Sequence, residues 1–333
     1  MRLFDTLTRG RRHSVVAVAS LSCVALLAAC GGTTQPAGGA SPGAGGGEAS
    51  KTIAFSPLAL KIPAMKGLSE GVKSYGSSKG YNVIVQDPDL DPQKQVTDLR
   101  SVIESGRVGG AWVISVQPAA LTDLVKTAQE KKVALKLNGV PEDYGLSGMQ
   151  VGVSFSKIDY VNQGKAMGDE LGACVNEKLG GNAKVIWMKD VAGTAGKAEK
   201  EKAQTDALSA AAPGATVVTE LETSTRAKAQ TDVSAALQGN PDANAVLATN
   251  DEAALGALGA FAAAGKELPC LVEAGGNEEV LKAVQAGKIY ASVALQFQED
   301  MVQSFDALIA MIEDPTKEGQ QLTVPQKVIK AGS

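Results

Sequence analysis

From Lys51 onward the sequence alternates between two kinds of segment with hardly an interruption. Short apolar runs such as Ile53-Ala54-Phe55, Tyr81-Asn82-Val83-Ile84-Val85 and Gly110-Ala111-Trp112-Val113-Ile114-Ser115 read as strands. Their near-continuous hydrophobicity suits strands buried on both faces. Segments with helical spacing follow them, at residues 63–79, 92–105 and 118–131. Strands at 133–137 and 149–155 end this first series. A second series opens after Lys157 with a long helix to about Leu179. It continues with strands at 183–188, 216–221, 245–249, 270–273 and 289–295, separated by helices at 194–211, 226–238, 251–264 and 277–286. A helix at 298–312 and a strand at 322–329 close the chain. Strand–helix alternation of this kind builds parallel sheets covered by helices on both faces. The expected fold is therefore α/β, with two doubly wound, largely parallel-sheet lobes. A chain of 333 residues fits two domains of roughly 150 residues each, and the cleft between two such lobes is a common small-molecule site.

One junction carries more detail than the others. Ala245-Val246-Leu247-Ala248-Thr249 is an apolar run that breaks at Asn250-Asp251 and resumes as an Ala/Leu-rich helix. Asn250 is a good N-cap, and Asp251-Glu252 place negative charge in the first turn, where the helix dipole favours it. Such strand–helix junctions line the crevice where open α/β sheets bind ligands. A well-capped core helix would account for most of the same residues.

Upstream of Lys51 the composition changes. Arg9, Arg11 and Arg12 form a basic region, and residues 15–29 form an apolar stretch too short for an ordinary membrane span. The stretch ends in Leu27-Ala28-Ala29-Cys30-Gly31, which resembles the bacterial lipobox, cut before a cysteine that then carries lipid. Residues 1–29 are thus expected to be a lipoprotein signal peptide and Cys30 the lipidated residue, with 30–50, rich in Gly, Ala, Ser, Thr and Pro, as a flexible tether. Arg11-Arg12 also admits the twin-arginine route, but His13-Ser14 fit that motif poorly, so general secretion is the expected path. The chain is expected to be exported and held by lipid on the outer face of the bacterial cytoplasmic membrane.

Removal of residues 1–29 leaves 28 basic and 35 acidic residues, a net charge of −7. An acidic protein without a basic cluster argues against a nucleic-acid partner. The only histidine, His13, leaves as well. That excludes Ser-His-Asp and Cys-His catalysis and His-ligated zinc from the mature chain. No cofactor and no metal site are expected. Cys174 and Cys270 remain in a compartment that permits disulfides, and the sequence leaves open whether they bond or are two small buried hydrophobes.

Several stretches carry a resemblance to a known family: Gly80-Tyr81-Asn82-Val83-Ile84-Val85, Pro118-Ala119-Ala120-Leu121, Gly164-Lys165-Ala166-Met167-Gly168-Asp169, Ala192-Gly193-Thr194-Ala195 and Asn250-Asp251-Glu252-Ala253-Ala254-Leu255-Gly256-Ala257. Together with the element order over residues 51–330, they resemble the type I periplasmic binding proteins, especially the ribose- and galactose-type sugar-binding lipoproteins of ABC transporters. The resemblance implies lobes joined by a hinge, with residues 51–153 plus 297–321 in the N-terminal lobe and 154–296 plus 322–333 in the C-terminal lobe. It implies a monomeric substrate-binding protein that captures a small polar ligand, a sugar, polyol or related solute, and delivers it to ABC permease subunits. The other readings are a ligand-sensing accessory of a membrane receptor and a surface-anchored carboxylate-dependent hydrolase.

Members of this family grip sugars with flat polar side chains and aromatic rings, because paired hydrogen bonds match adjacent hydroxyls and rings cover C–H faces. The chain departs from that pattern. Where ribose-type members often carry Asn-Pro-Phe-Phe, it has Ile62-Pro63-Ala64-Met65; the strand end that usually offers Asp-Arg falls near Asn138-Gly139; the usual Phe-Asp is Ala274-Gly275. The family's arginine aligns with Ala198, near Lys197 and Lys200, and its hinge-side Gln aligns with Leu295 or Gln296. Asn250 is the binding position the resemblance keeps. Gln117, before Pro118-Ala119-Ala120, and Lys61 and Met65, flanking the first helix start, are candidate replacements. Tyr144, Phe297 or Trp187 would supply a ring, although a Trp within a strand is more often core. The expected ligand set is Asn250, Gln117, Asn138, Lys197, Gln296, Met65, Lys61, Tyr144 and Phe297.

Two motifs mislead. Asp87-Pro88-Asp89-Leu90-Asp91 begins like an EF-hand, but Pro92 stands where the turn glycine is required; Asp91 as N-cap before Pro92 is the better account. Ala192 to Ala198 looks like part of a phosphate loop, yet no Ser or Thr follows Lys197. The run 197–202 reads as a solvated helix face.

Overall fold

Parity along the strands decides which side chains share a layer. In a computed structural model, which describes residues 50–223 and 225–332, the chain opens as β1 (Thr52–Ser56), α1 (Pro63–Ser78), β2 (Asn82–Val85), α2 (Pro92–Glu104), β3 (Gly110–Val113), α3 (Thr122–Glu130), β4 (Ala134–Asn138) and β5 (Val153–Lys157). It continues as α4 (Tyr160–Leu179), β6 (Asn182–Lys189), α5 (Lys197–Ala211), β7 (Gly214–Glu222), α6 (Arg226–Gly239), β8 (Ala245–Ala248), α7 (Asp251–Ala263), β9 (Cys270–Gly275), α8 (Glu278–Gln285) and β10 (Ala291–Leu295). Helix α9 (Phe297–Glu313) and strands β11 (Gln321–Thr323) and β12 (Gln326–Lys330) complete it. The expected signal peptide, lipidated Cys30 and nearly all of the tether lie outside the described residues.

Two six-stranded sheets result. Their orders are β2-β1-β3-β4-β5-β11 and β7-β6-β8-β9-β10-β12, parallel throughout except where β12 runs antiparallel to β10. In the first sheet Ile53, Phe55 and Trp112 pack against α1 and α9, whereas Ala54, Ala111, Val113, Leu135 and Leu137 face α2 and α3. The second sheet repeats the scheme: Val185, Trp187, Leu247 and Val272 face α4 and α5, and Ile186, Val246 and Leu271 face α6, α7 and α8. The fold is the two-lobed, doubly wound α/β architecture that the alternation implies.

The chain crosses between the sheets three times, at β5–α4, β10–α9 and β11–β12. These crossings are stitched together: Val324 N–H donates to Lys157 O at 2.9 Å, Gln296 N–H to Pro325 O at 2.8 Å, and Gln326 Nε2 to Asp159 O at 3.0 Å. Two expectations change here. The strand expected at 322–329 is two strands in different sheets, because Pro325 has no N–H to continue a ladder and the chain changes lobe at that point. The lobe boundaries move with it: β5 extends the first sheet to Lys157, and β11 adds Gln321–Thr323 to the same sheet.

Helices α4 and α5 approach closely along a stripe of glycines. A Cβ on Gly164 would lie 2.2 Å from Lys200 O, and one on Gly168 2.4 Å from Gln204 O. Gly164 and Gly168 are therefore packing positions against α5. Cys174 of α4 and Cys270 of β9 form a disulfide, with Cα atoms 5.7 Å apart, inside the second lobe.

Candidate functional site

The C-terminal strand ends of an open α/β sheet leave a crevice where strand order reverses. In the first lobe this edge combines with the crossovers to make a cavity of about 950 Å³. Its walls come from both lobes and from the crossings: Met65 and Leu68 of α1, Ile114 after β3, Asn138 and Lys136 of β4, Ser156 of β5, Tyr160 of α4, Gly196 and Glu199 near the start of α5, and Phe297, Asp300 and Met301 of α9. The volume lies at the upper end of the ~300–1,000 Å³ typical of ligand pockets.

Each polar wall residue has a local reason for its position. Asn138 ends β4, and its Oδ1 accepts the Ser115 N–H at 2.6 Å. Asp300 lies in the first turn of α9, where a carboxylate suits the helix dipole; its Oδ1 accepts from Ser156 Oγ at 3.0 Å and Gln303 Nε2 at 2.9 Å. Lys136 shares its strand face with Asn138 and is 2% exposed. Its amine sits 5.0 Å from the centre of the Trp112 ring. Burial pushes the Lys136 ammonium down to about 8, with Asp300 opposing the shift. Tyr160 packs its ring on Gly196, at φ +69°, where a Cβ would come within 2.0 Å of the ring. Burial, then Asp190 and Glu199, raise the Tyr160 phenol.

The expected site residues divide. Met65, Asn138 and Phe297 line the cavity, and Phe297 is 53% exposed, a ring open to the cleft. Asn250, Gln117, Lys197, Gln296 and Lys61 are not among its walls. Asn250 caps α7, its Oδ1 accepting the Ala253 N–H at 2.9 Å. Gln117 is exposed beside the wall residue Pro118. Lys61 pairs with Asp89 at 2.7 Å on the surface. Lys197 donates to Asp190 O and pairs with Glu201 at 2.6 Å and Glu222 at 3.1 Å. Gln296 turns its amide back onto Ala294 O at 3.2 Å.

Tyr144 is a clear correction. It is fully buried against Phe155, with its hydroxyl 2.5 Å from Ser115 Oγ and donating to Asn138 O at 2.7 Å. It fixes Asn138 from behind and offers no ring to the cleft. The run 197–202 is corrected as well, because Lys200 is buried and pairs with Asp190. Trp187 is core, its Nε1–H donating to Gln204 Oε1 at 2.9 Å.

Sequence reasoning missed Lys136, Asp300 and Tyr160. A lysine inside the apolar run 133–137 was the available signal for the first. Asp300 resembles any acidic residue in a first helical turn, and nothing local marks Tyr160.

Comparison with known proteins bears on this arrangement. A model of the periplasmic binding protein domain matches residues 53–316. The chain is 31% identical over 251 residues to the ribose import binding protein RbsB of Haemophilus influenzae, covering 74% of this chain and 81% of that protein. It is 29% identical over 274 residues to the Bacillus subtilis protein of the same name, covering 81% and 84%. Among solved structures, the Caulobacter myo-inositol binding protein bound to myo-inositol superposes with a TM-score of 0.68 at 22% identity, covering 86% of this chain and 95% of that one. The periplasmic ribose ABC transporter protein of Conexibacter woesei gives 0.70 at 24% identity, covering 86% and 94%.

Proposed function

The chain belongs to the type I periplasmic sugar-binding proteins, the sugar-binding components of ABC transporters, and on that premise we propose that it captures a neutral sugar or cyclic polyol between its lobes and delivers it to a membrane permease. It is a binding protein and not an enzyme. The observation that carries this reading is the cavity at the three crossovers, walled from both lobes. Asn138 and Asp300 supply a donor and an acceptor for hydroxyls, and Phe297 and Tyr160 supply rings for C–H faces. Met65 adds an apolar side chain to the wall.

Closure of the lobes about the stitched crossings would favour the ligand-bound form by the difference in affinity between open and closed states. Asn250 caps α7 two residues beyond the C-terminal end of β8, and in this proposal its amide meets the ligand only on closure. Gln117 and Lys197 lie in sequence beside the wall residues Pro118 and Gly196 and are second-rank contacts. Lipid on Cys30 and a tether over 30–50 would hold a monomer near its permease.

The reading is tested by thermal unfolding of the purified protein with D-ribose, L-arabinose, D-allose and myo-inositol. A ligand at one hundred times its Kd adds about 2.7 kcal/mol and raises the melting temperature. No rise with any of these sugars, or with a wider panel of monosaccharides and polyols, would overturn it.

A further inference from the structure

We propose that Lys136 and Asp300 form a hydroxyl-binding subsite on the hinge-side wall of the cavity and that this pair selects a neutral polyhydroxylated ligand over a sugar acid; the proposal rests on the sugar-binding reading above. Lys136 lies between Leu135 and Leu137, each 1% exposed, in a strand that is otherwise apolar up to its last residue, Asn138. Its amine lies over Trp112, and among the described residues no hydrogen bond or ion pair engages it. Burying an ammonium without a hydrogen-bond partner is costly, so a lysine on this cavity wall points to a ligand acceptor. Trp112, beside it, has a buried Nε1–H that also lacks a partner.

Asp300 reaches the same cavity from α9. Its Oδ1 is occupied by Ser156 and Gln303, while Oδ2 receives no donor among the described residues. The two charges attract across a gap without forming an ion pair. A hydroxyl both donates and accepts, so it can bond Asp300 and Lys136 at once. A carboxylate can only accept and would face Asp300 with like charge. The remaining charged wall residues sharpen the preference: Asp143, Asp159 and Glu199 outnumber Lys157.

Titration calorimetry of the purified protein tests this with D-ribose and myo-inositol against D-ribonate and D-galacturonate. Wild type should bind a neutral ligand at least tenfold tighter than either acid. Lys136→Met and Asp300→Asn should each weaken that binding about tenfold or more, and Lys136→Gln, which keeps a neutral donor, should lose less than the Met variant. The Gln variant also serves if the Met variant fails to fold. Variants that bind as tightly as wild type but unfold at lower temperature would make the pair a bridge between β4 and α9 and overturn the proposal, as would tighter binding of an acid. If wild type binds neither neutral ligand nor acid, and no other sugar or polyol, the sugar-binding reading itself fails and takes the subsite with it.

Discussion

Lys200 Nζ lies 2.6 Å from Asp190 Oδ2, and it also donates to Thr249 Oγ1 at 2.9 Å. Asp190 follows β6 and Thr249 follows β8, so one side chain of α5 locks the point where the second sheet reverses its strand order. Both ionic partners are buried. Removing one partner of a buried pair strands the other, at a cost of about 3–5 kcal/mol. Lys200→Met should lower stability by that order in urea unfolding, and Lys200→Met with Asp190→Leu should recover much of it. Salt should barely alter wild-type stability through this pair, because buried charges are poorly screened. A loss under 1 kcal/mol in the single variant would contradict this account.

The pH dependence of stability should carry the mark of two buried groups. Burial, reinforced by Asp251, raises the Glu273 carboxyl from 4.5 to about 8, with Ser292 and Lys200 opposing the shift. The folded state therefore holds a proton that the unfolded chain releases, and stability falls as pH rises from 4.5 to 8. Lys136 works in the other direction. Its ammonium is held down from 10.5 to about 8, so the unfolded chain binds the extra proton and stability rises between pH 8 and 10.5. Denaturant melts across pH 5–10 should show these two slopes, and Glu273→Gln should abolish the first and gain stability at pH 8. Parallel curves for wild type and variant would refute the assignment.

Asn250 can be divided into cap and contact. Asn250→Ala removes the acceptor for the Ala253 N–H and should cost about 1 kcal/mol of stability. Asn250→Ser keeps a capping oxygen but removes the amide donor. Weaker sugar binding by the Ser variant at unchanged melting temperature would establish ligand contact; unchanged binding would leave Asn250 as scaffold alone.

Gly168→Ala pits helix propensity against packing. Alanine is better than glycine in a helix by roughly 1 kcal/mol. Its methyl would meet Gln204 O at 2.4 Å and Ala207 Cβ at 2.8 Å, and backbone cannot swing aside. Overpacking of this kind costs typically 1–3 kcal/mol, so the variant should melt lower than wild type. A higher melting temperature would show that α4 and α5 separate readily.

The lobes were legible in the sequence because strand and helix periodicity are local properties, and because each buried strand stands out as a short apolar run. The junction at Asn250 was legible for the same reason, with its cap and acidic first turn. What it could not reveal is that Asp251 Oδ1 accepts the N–H groups of Gly276 and Asn277, both at 2.9 Å, or that Glu252 shares Arg226 with Glu279. Those partners are at least 25 residues away in the chain. The cleft was legible only in part. Asn138, Met65 and Phe297 sit at element ends that the periodicity locates. Lys136 and Asp300 come from elements far apart in sequence, and Tyr144 reads as a loop residue although the loop tucks it into the core.

The three crossings bear on the order in which the molecule can be completed. Helix α9 supplies Phe305, Leu308, Met311 and Ile312 to the core beneath β1 and β3, and β11 forms an edge of the same sheet. The lobe begun first is thus completed only after all but the last strand, β12, of the second lobe has been made. While a ribosome is still adding the second lobe, the first has one apolar face bare, and it stays open until residues beyond 312 have been made. Vectorial synthesis cannot seal this protein half by half; its N-terminal half must wait, unfinished, for the C-terminal end.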